Sequence, residues 1–338
     1  MVQKNLLITG GAGFIGSHLT EAALVAGHRV VVLDKLTYAG NLQNLAAALR
    51  YADFRFVKGD IGDAALIGAL LREHAIDQVL HLAAETHVDN SINGPEAFVQ
   101  TNVLGTSRLL EAVRGYLQEQ PQRREQFRCV NVSTDEVYGA LRDGDAPFCE
   151  TTPFAPNSPY SASKAGADFL ARAWFHTYGL PIITTHCSNN YGPRQHAEKL
   201  IPTMIRNALS GATLPMYGDG SNRRDWLYVG DHCAGILLAA ERGVAGQDYC
   251  FGGGCEMSNL DLVRQICVIL DRLAPSASGQ SYAAQIGFVN DRPGHDWRYA
   301  VDASKAQQAL GFNPRMDFAA GLELTVRALQ QREPAQVA

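Results

Sequence analysis

Gly10-Gly11-Ala12-Gly13-Phe14-Ile15-Gly16 follows directly on the apolar run Leu6-Leu7-Ile8, and a second run, Val30-Val31-Val32-Leu33, reaches Asp34 after a helix-length segment. Strand, glycine turn and helix in that order make a cradle for a dinucleotide pyrophosphate. The first glycine permits the tight turn, the second lets backbone approach the diphosphate, the third lets helix lie on strand, and the helix N-terminus adds partial positive charge. Because glycines at 10, 13 and 16 depart from the commonest dinucleotide spacing, the reading rests on the strand before them and the acid after them. At the end of the second strand, Asp34 can accept from both ribose hydroxyls and repels a 2′-phosphate, so NAD is expected over NADP.

Working outward, further apolar runs at 54–57, 78–82, 127–132 and 181–186 alternate with helical periodicity over 17–26, 64–74, 95–118 and 161–178. Near-continuous apolar strands between helices mark a parallel sheet covered on both faces. After about residue 186 the runs shorten and Gly and Pro increase, and the chain closes with helical candidates at 259–272, 304–311 and 319–331. The expected fold is α/β: a Rossmann-like doubly wound parallel sheet with a smaller, loop-rich α/β substrate lobe. Residues 1–186, with about 222–250, form the NAD-binding domain, 187–221 and 251–331 bind substrate, and 332–338 are a tail.

At 338 residues, 46% hydrophobic and 19% charged, the chain has the composition of a folded enzyme, and a net charge of −5 leaves no electrostatic case for nucleic acid. Seven scattered cysteines without CxxC spacing argue for a reducing compartment and against zinc. Neither a secretory leader nor a run of membrane-spanning length stands out, so a cytoplasmic location is expected.

Tyr160 and Lys164 stand four residues apart, hence on one helix face, where Lys164 can lower the Tyr160 pKa toward neutrality and bond a ribose. Such a phenol is a base for an alcohol proton. Upstream, Ser133-Thr134-Asp135-Glu136 ends the run 127–132, at the strand edge where ligands bind in open parallel sheets. A solvated turn is one explanation of two adjacent acids there. The sharper one is elimination of water across neighbouring carbons, which requires a base at one carbon and an acid at the next. Crowding two carboxyls in a cleft drives their pKa values apart; the spacing leaves open which is which.

Taken together, ITGGAGFIGSH, LDKLTYAGNL, HLAAETHVDNSI, TNVLGT, VSTDEVYG, SPYSASKAGAD, CSNNYGPRQHAEKLIP, LPMYGDGSNRRDWLYV and DRPGHDWRYAVD resemble, in order over most of residues 5–312, the dTDP-glucose 4,6-dehydratase family of extended short-chain dehydrogenase/reductases. TDEVYG discriminates, since related sugar epimerases carry small or hydroxyl residues in place of Asp135 and Glu136. The resemblance implies an NAD-dependent hydro-lyase in which Tyr160, with Thr134 and Lys164 beside it, takes the O4 proton as C4 is oxidised. Glu136 then removes the C5 proton, Asp135 protonates the departing C6 hydroxyl, and hydride returns to C6. It also implies cofactor contacts from Gly10, Gly13, Phe14, Ile15 and Gly16 at the turn, and from Asp34, Lys35, Leu36 and Thr37 near the ribose. Asp60 and Ile61 would lie beside adenine, although Asp60 could equally cap the helix beginning near Asp63. Leu82, Ala83, Ala84 and Glu85, then Thr101, Tyr160, Lys164 and Asn190, would surround nicotinamide and its ribose. Thr101 could instead cap or pack.

For substrate, the resemblance implies Thr86, Thr134, Asn189, Lys199 and Leu200, the segment Pro215, Met216 and Tyr217, then Arg224 and Asn259, and finally Asp291, Arg292 and His295. Arg224 and Arg292 would give bidentate bonds to a diphosphate, or else form surface ion pairs, and Tyr217 would flank the base, or else pack as a core aromatic. His87 and His295 tempt as metal ligands, but no His/Cys/carboxylate set has metal spacing, and hydrogen-bonding roles are expected. The chain departs from the family at Asn90, where arginine is usual, in a short loop over 140–150, and at FGGGCEMSN. These bear on lid contacts and nucleotide selectivity. Apolar stripes on 95–118 (Leu104, Leu109, Leu110, Val113) and 161–178 (Phe169, Leu170, Ala173, Trp174) pack on the sheet or, as the resemblance implies, form a homodimer seam. The expected partner is a small nucleotide sugar, dTDP-glucose. The competing functions are dehydration of a UDP- or CDP-sugar, 4-epimerisation, and an NAD-binding regulator without turnover.

Overall fold

Residues 2–291 and 294–332 are described in this computed structural model. The opening strand β1 (Asn5–Thr9) sends Leu7 into one apolar core and Leu6 and Ile8 into another, so helices must cover both faces of its sheet. They do. The chain continues through α1 (Phe14–Val25), β2 (Arg29–Asp34), β3 (Phe54–Lys58), α2 (Ala64–Glu73) and β4 (Gln78–His81). Next come α3 (Val88–Asn93), α4 (Pro95–Phe98), a π-helical turn over Val99–Gly105, α5 (Thr106–Glu119), β5 (Arg128–Thr134), α6 (Pro159–Tyr178) and β6 (Ile182–Cys187). Leu71 of α2 and Leu109 and Val113 of α5 pack with Leu7, whereas Leu19 and Ala23 of α1 lie with Leu6 and Ile8.

The second half contributes β7 (Asn189–Tyr191), α7 (Leu200–Ser210), β8 (Leu214–Tyr217), β9 (Arg223–Tyr228), α8 (Val229–Arg242) and β10 (Asp248–Phe251). It ends with β11 (Glu256–Ser258), α9 (Asn259–Leu273), β12 (Ile286–Val289), α10 (Ser304–Leu310) and α11 (Phe318–Arg332). The large sheet is parallel, in the order β10-β6-β5-β4-β1-β2-β3; β11-β9-β7 and β12-β8 form two small sheets. The stretch 222–250 is divided between them. Within it, β9 pairs with β7 and β11, α8 packs beside α1, and β10 closes the large sheet next to β6.

All six strands expected in the first half are present, and β10 adds a seventh. The helix expected over 95–118 is corrected to α4, the π turn and α5. A π turn widens the coil by one residue and leaves the apolar periodicity nearly intact, so the pattern gives no warning of it.

Candidate active site

A single cleft runs across the C-terminal ends of β1, β2, β4, β5 and β6. Its floor is the glycine turn. Gly10 has φ 71°, and an added Cβ would lie 2.7 Å from the Ala83 nitrogen; a Cβ on Gly16 would lie 2.2 Å from the Gly10 carbonyl oxygen. Both contacts are backbone on backbone, which cannot swing aside. Gly13 caps α1 without a side-chain partner, leaving that helix N-terminus facing the cleft. A Gly16→Ala variant is expected to bind NAD about ten- to a hundredfold more weakly, from roughly 1–3 kcal/mol of overpacking. Titration calorimetry checks this, and unchanged affinity would contradict the close approach.

Asp34 is locked to that turn: its carboxylate accepts from the Ala12 N–H at 2.9 Å and the Leu36 N–H at 2.8 Å. Leu36 stands at φ 57° with its N–H on that carboxylate, and it does not line the cleft. Lys35 and Asp60 meet across the rim at 2.7 Å. Burial works against the Asp60 charge, but Lys35 and the Gly62 N–H outweigh it and hold the carboxyl below its usual range. The cap of α2 is Asp63, whose carboxylate accepts from Leu66, so Asp60 is not that helix's N-cap. On the π turn, Thr101 lines the cleft, while Asn102 pins the strand-end loop by accepting from the Glu85 N–H and donating to the Glu85 carbonyl.

The chemistry-bearing side chains sit deeper. β5 ends at Thr134, whose hydroxyl accepts from the Glu136 N–H and donates to Asp135, both at 3.3 Å. Asp135 is 2% exposed, and its Oδ2 has no hydrogen-bond partner. Burial first, then the charges of Glu136 and Asp225, push its carboxyl well above the usual range, against Arg224 and Thr134. Those surroundings favour the protonated form of Asp135. Tyr160 and Lys164, near the start of α6, are both buried and face the same cleft, with the Lys164 ammonium donating to the Val132 carbonyl at 2.8 Å.

One expectation from spacing is corrected here. Lys164 does not bring the Tyr160 phenol toward neutrality by itself: burial, then Glu136 and Cys187, push it well above its ordinary value, and only a Thr134 hydrogen bond opposes them. Loss of water and the neighbouring Glu136 carboxylate outweigh one ammonium already engaged by a carbonyl.

Of the residues expected at the cofactor, all but Leu36 line this cleft, and Thr86, Thr134, Asn189 and Lys199 of the substrate set line it too. Lys199 reaches from the start of α7 to the Thr86 carbonyl at 3.1 Å, and Asn189 Oδ1 is buried without a partner. Asn190 is tied to His232 and to the Ser188 carbonyl. The other described substrate candidates do not line the cleft. Met216 is in the smaller lobe's core, and Leu200 packs against that core. Pro215 and Tyr217 lie on β8, Tyr217 edge-on to His295, which contacts Asp291 at 2.6 Å. Asn259 opens α9 with Oδ1 unpartnered, and Arg224 is buried over the Tyr299 ring, donating to the carbonyls of Arg223 and Asp296. Arg292 lies outside the described residues.

Sequence reasoning did not single out Gly40, Gly59, Gln195, His196 or Glu198, which also line the cleft. His196 and Glu198 fall inside the stretch CSNNYGPRQHAEKLIP, where their signal was available. The Glu198 carboxylate lies 3.7 Å from His87 and 3.6 Å from His196. Among the described residues no cluster of His, Cys, Asp and Glu is suited to a metal ion, and no helix is long and apolar enough to cross a membrane.

A dinucleotide cradle joined to a buried Tyr–Lys pair places the chain among the sugar-modifying short-chain dehydrogenase/reductases. The family model described as GDP-mannose 4,6 dehydratase matches residues 7–325. The chain is 56% identical over 321 residues to a dTDP-glucose 4,6-dehydratase of Xanthomonas campestris pv. campestris (strain B100), covering 95% of this chain and 91% of that one. It is 51% identical to the Neisseria gonorrhoeae dTDP-glucose 4,6-dehydratase, covering 96% and 95%. The crystal structure of a Streptomyces venezuelae dTDP-glucose 4,6-dehydratase with NAD and TYD bound superimposes with a TM-score of 0.88 at 45% identity, covering 98% of each chain. The chain belongs to the dTDP-glucose 4,6-dehydratase family.

Proposed function

We propose that the protein dehydrates dTDP-glucose to dTDP-4-dehydro-6-deoxyglucose and water, with NAD as its resident cofactor. The observation that carries this is the Asp135–Glu136 pair at the end of β5, sharing one cleft with Tyr160 and the glycine cradle. The cradle fits a dinucleotide, since a single Cβ at Gly10 or Gly16 would collide with backbone. Held by the glycine cradle, NAD would supply the hydride-accepting and hydride-returning chemistry for C4 and C6 beside Tyr160 and Lys164. Tyr160 removes the O4 proton. The resulting ketone acidifies C5–H, whose proton Glu136 takes, while Asp135, whose burial and neighbouring charges favour its protonated form, supplies the proton with which the C6 hydroxyl leaves as water; Glu136 gives a proton back to C5 as C6 is reduced.

The substrate is assigned to Thr86, Thr134, Asn189 and Lys199 in the cleft and to Leu200, Pro215, Met216, Tyr217, Arg224, Asn259, Asp291 and His295 of the second half, with Arg292 outside the described residues. Residues 1–186 with the α8 and β10 part of 222–250 serve the cofactor, and 187–221 with β9 and 251–331 the substrate. A homodimer fits the exposed Val99 and Leu104 on the π turn and Phe169 on α6, whereas Leu109, Leu110 and Val113 are consumed in the chain's own core. A cytoplasmic location fits seven free cysteines.

The purified protein, supplied with NAD and separately with dTDP-, UDP-, CDP- and GDP-glucose, is expected to give alkali-induced absorbance of a 4-keto product with the dTDP sugar first. A C4 epimer without keto product would contradict dehydration, and preference for another nucleotide would contradict the substrate.

A further inference from the structure

Asp168 follows Lys164 by four residues as Lys164 follows Tyr160, so phenol, ammonium and carboxylate stand in a ladder on one face of α6, each under a tenth exposed. The third rung has no part in the chemistry above, yet it is the most heavily bonded. Its Oδ1 accepts from Asn131 Nδ2 at 2.8 Å, and its Oδ2 from Ser133 Oγ at 2.7 Å, with His186 Nε2 at 3.3 Å. Asn131 and Ser133 are alternate residues of β5 and therefore point to the same face; the carbonyl of Val132 between them takes the Lys164 ammonium. The Asn131, Ser133 and Val132 bonds run between α6, which carries the phenol, and β5, which leads to the acids, and the His186 contact ties α6 to the neighbouring β6. A buried carboxylate costs several kcal/mol unless paired and fully bonded.

We propose that Asp168 is a positioning residue of the redox centre: its carboxylate balances the buried Lys164 ammonium and clamps α6 to β5, setting Tyr160 against Asp135 and Glu136. This rests on the functional reading above. Lys164 is surrounded by few other charges. Burial lowers its proton affinity, and Asp168, ahead of Cys187, is the first group to restore it. From β4, His81 is held neutral, its pKa lowered to about 3 by burial and by Lys164 itself. From β6, His186 bridges Asp168 to the Tyr138 hydroxyl, and from β10, Asp248 faces His186 and Asp168 and is raised by burial. Beyond Tyr160 stand Glu136 and Asp135.

The sign follows. Removing the Asp168 charge removes a contribution that keeps the proton on Lys164, so the ammonium is lost at lower pH. In an Asp168→Asn holoenzyme, the alkaline limb of the kcat–pH profile for dTDP-glucose is expected to move down by about one pH unit, with roughly tenfold lower kcat on the former limb and KM little changed. Asn131→Ala, which removes a bond and leaves the charge, should keep the wild-type limb while lowering Tm. An unmoved limb in Asp168→Asn, or an equal displacement in Asn131→Ala, would overturn the assignment. Where Asp168→Asn yields no folded enzyme, Asp168→Glu decides: with charge kept its limb stays in place, and a displaced limb contradicts the proposal. Wild-type protein that does not turn over dTDP-glucose sinks the functional reading; active wild type with an unmoved Asp168→Asn limb sinks this inference alone.

Discussion

Replacing Glu136 with glutamine is expected to leave C4 oxidation running while exchange of the C5 proton with solvent deuterium falls by about 10³-fold. The amide keeps the size and position that the Thr134 turn gives residue 136, and its backbone N–H still reaches the Thr134 hydroxyl. What it loses is the ability to take a proton. Asp135 is a poor substitute, because burial and the charges of Glu136 and Asp225 push its carboxyl toward the protonated form. Reduced-cofactor absorbance during a single turnover reports the oxidation, and mass spectrometry of sugar recovered from deuterated water reports the exchange. Exchange at the wild-type rate would show that Glu136 is not the C5 base.

Tyr160→Phe is expected to lower kcat by about 10³- to 10⁴-fold with dTDP-glucose affinity nearly unchanged, since the hydroxyl acts on O4 only as charge develops. The ring packs edge-on to Phe98 at 6.3 Å between centroids, a contact phenylalanine retains, so the fold should survive. Because burial and Glu136 hold the free phenol far above neutrality, the wild-type acid limb should also fall to lower pH when oxidised cofactor is bound. Normal turnover by Tyr160→Phe would remove the phenol from the mechanism.

The large sheet could be read from the chain because each strand carries its own signal: Leu6-Leu7-Ile8 and Val30-Val31-Val32-Leu33 are apolar on both faces, as a doubly covered parallel strand must be. The small sheets could not. β7, β8, β11 and β12 have three or four residues each, too few for a period, and Gly and Pro around them resemble loop. Within the site, motif residues such as Asp34 and Lys164 were legible as types, but their sense was not. That Lys164 faces the Val132 carbonyl, or that Asp168 gathers Asn131 and Ser133 from 37 and 35 positions away, is decided by the packing of α6 on β5, which no local spacing encodes. The proton affinity of Tyr160 came out opposite to the spacing argument for the same reason. Burial and a carboxylate on another element decide it.

The central claim is that one cleft oxidises C4 and eliminates water across C5 and C6 of the same sugar. Supplying the enzyme with dTDP-glucose deuterated at C4 tests it most directly. The account predicts that the label appears at C6 of the 4-keto product; label retained at C4, or lost to solvent, would contradict it.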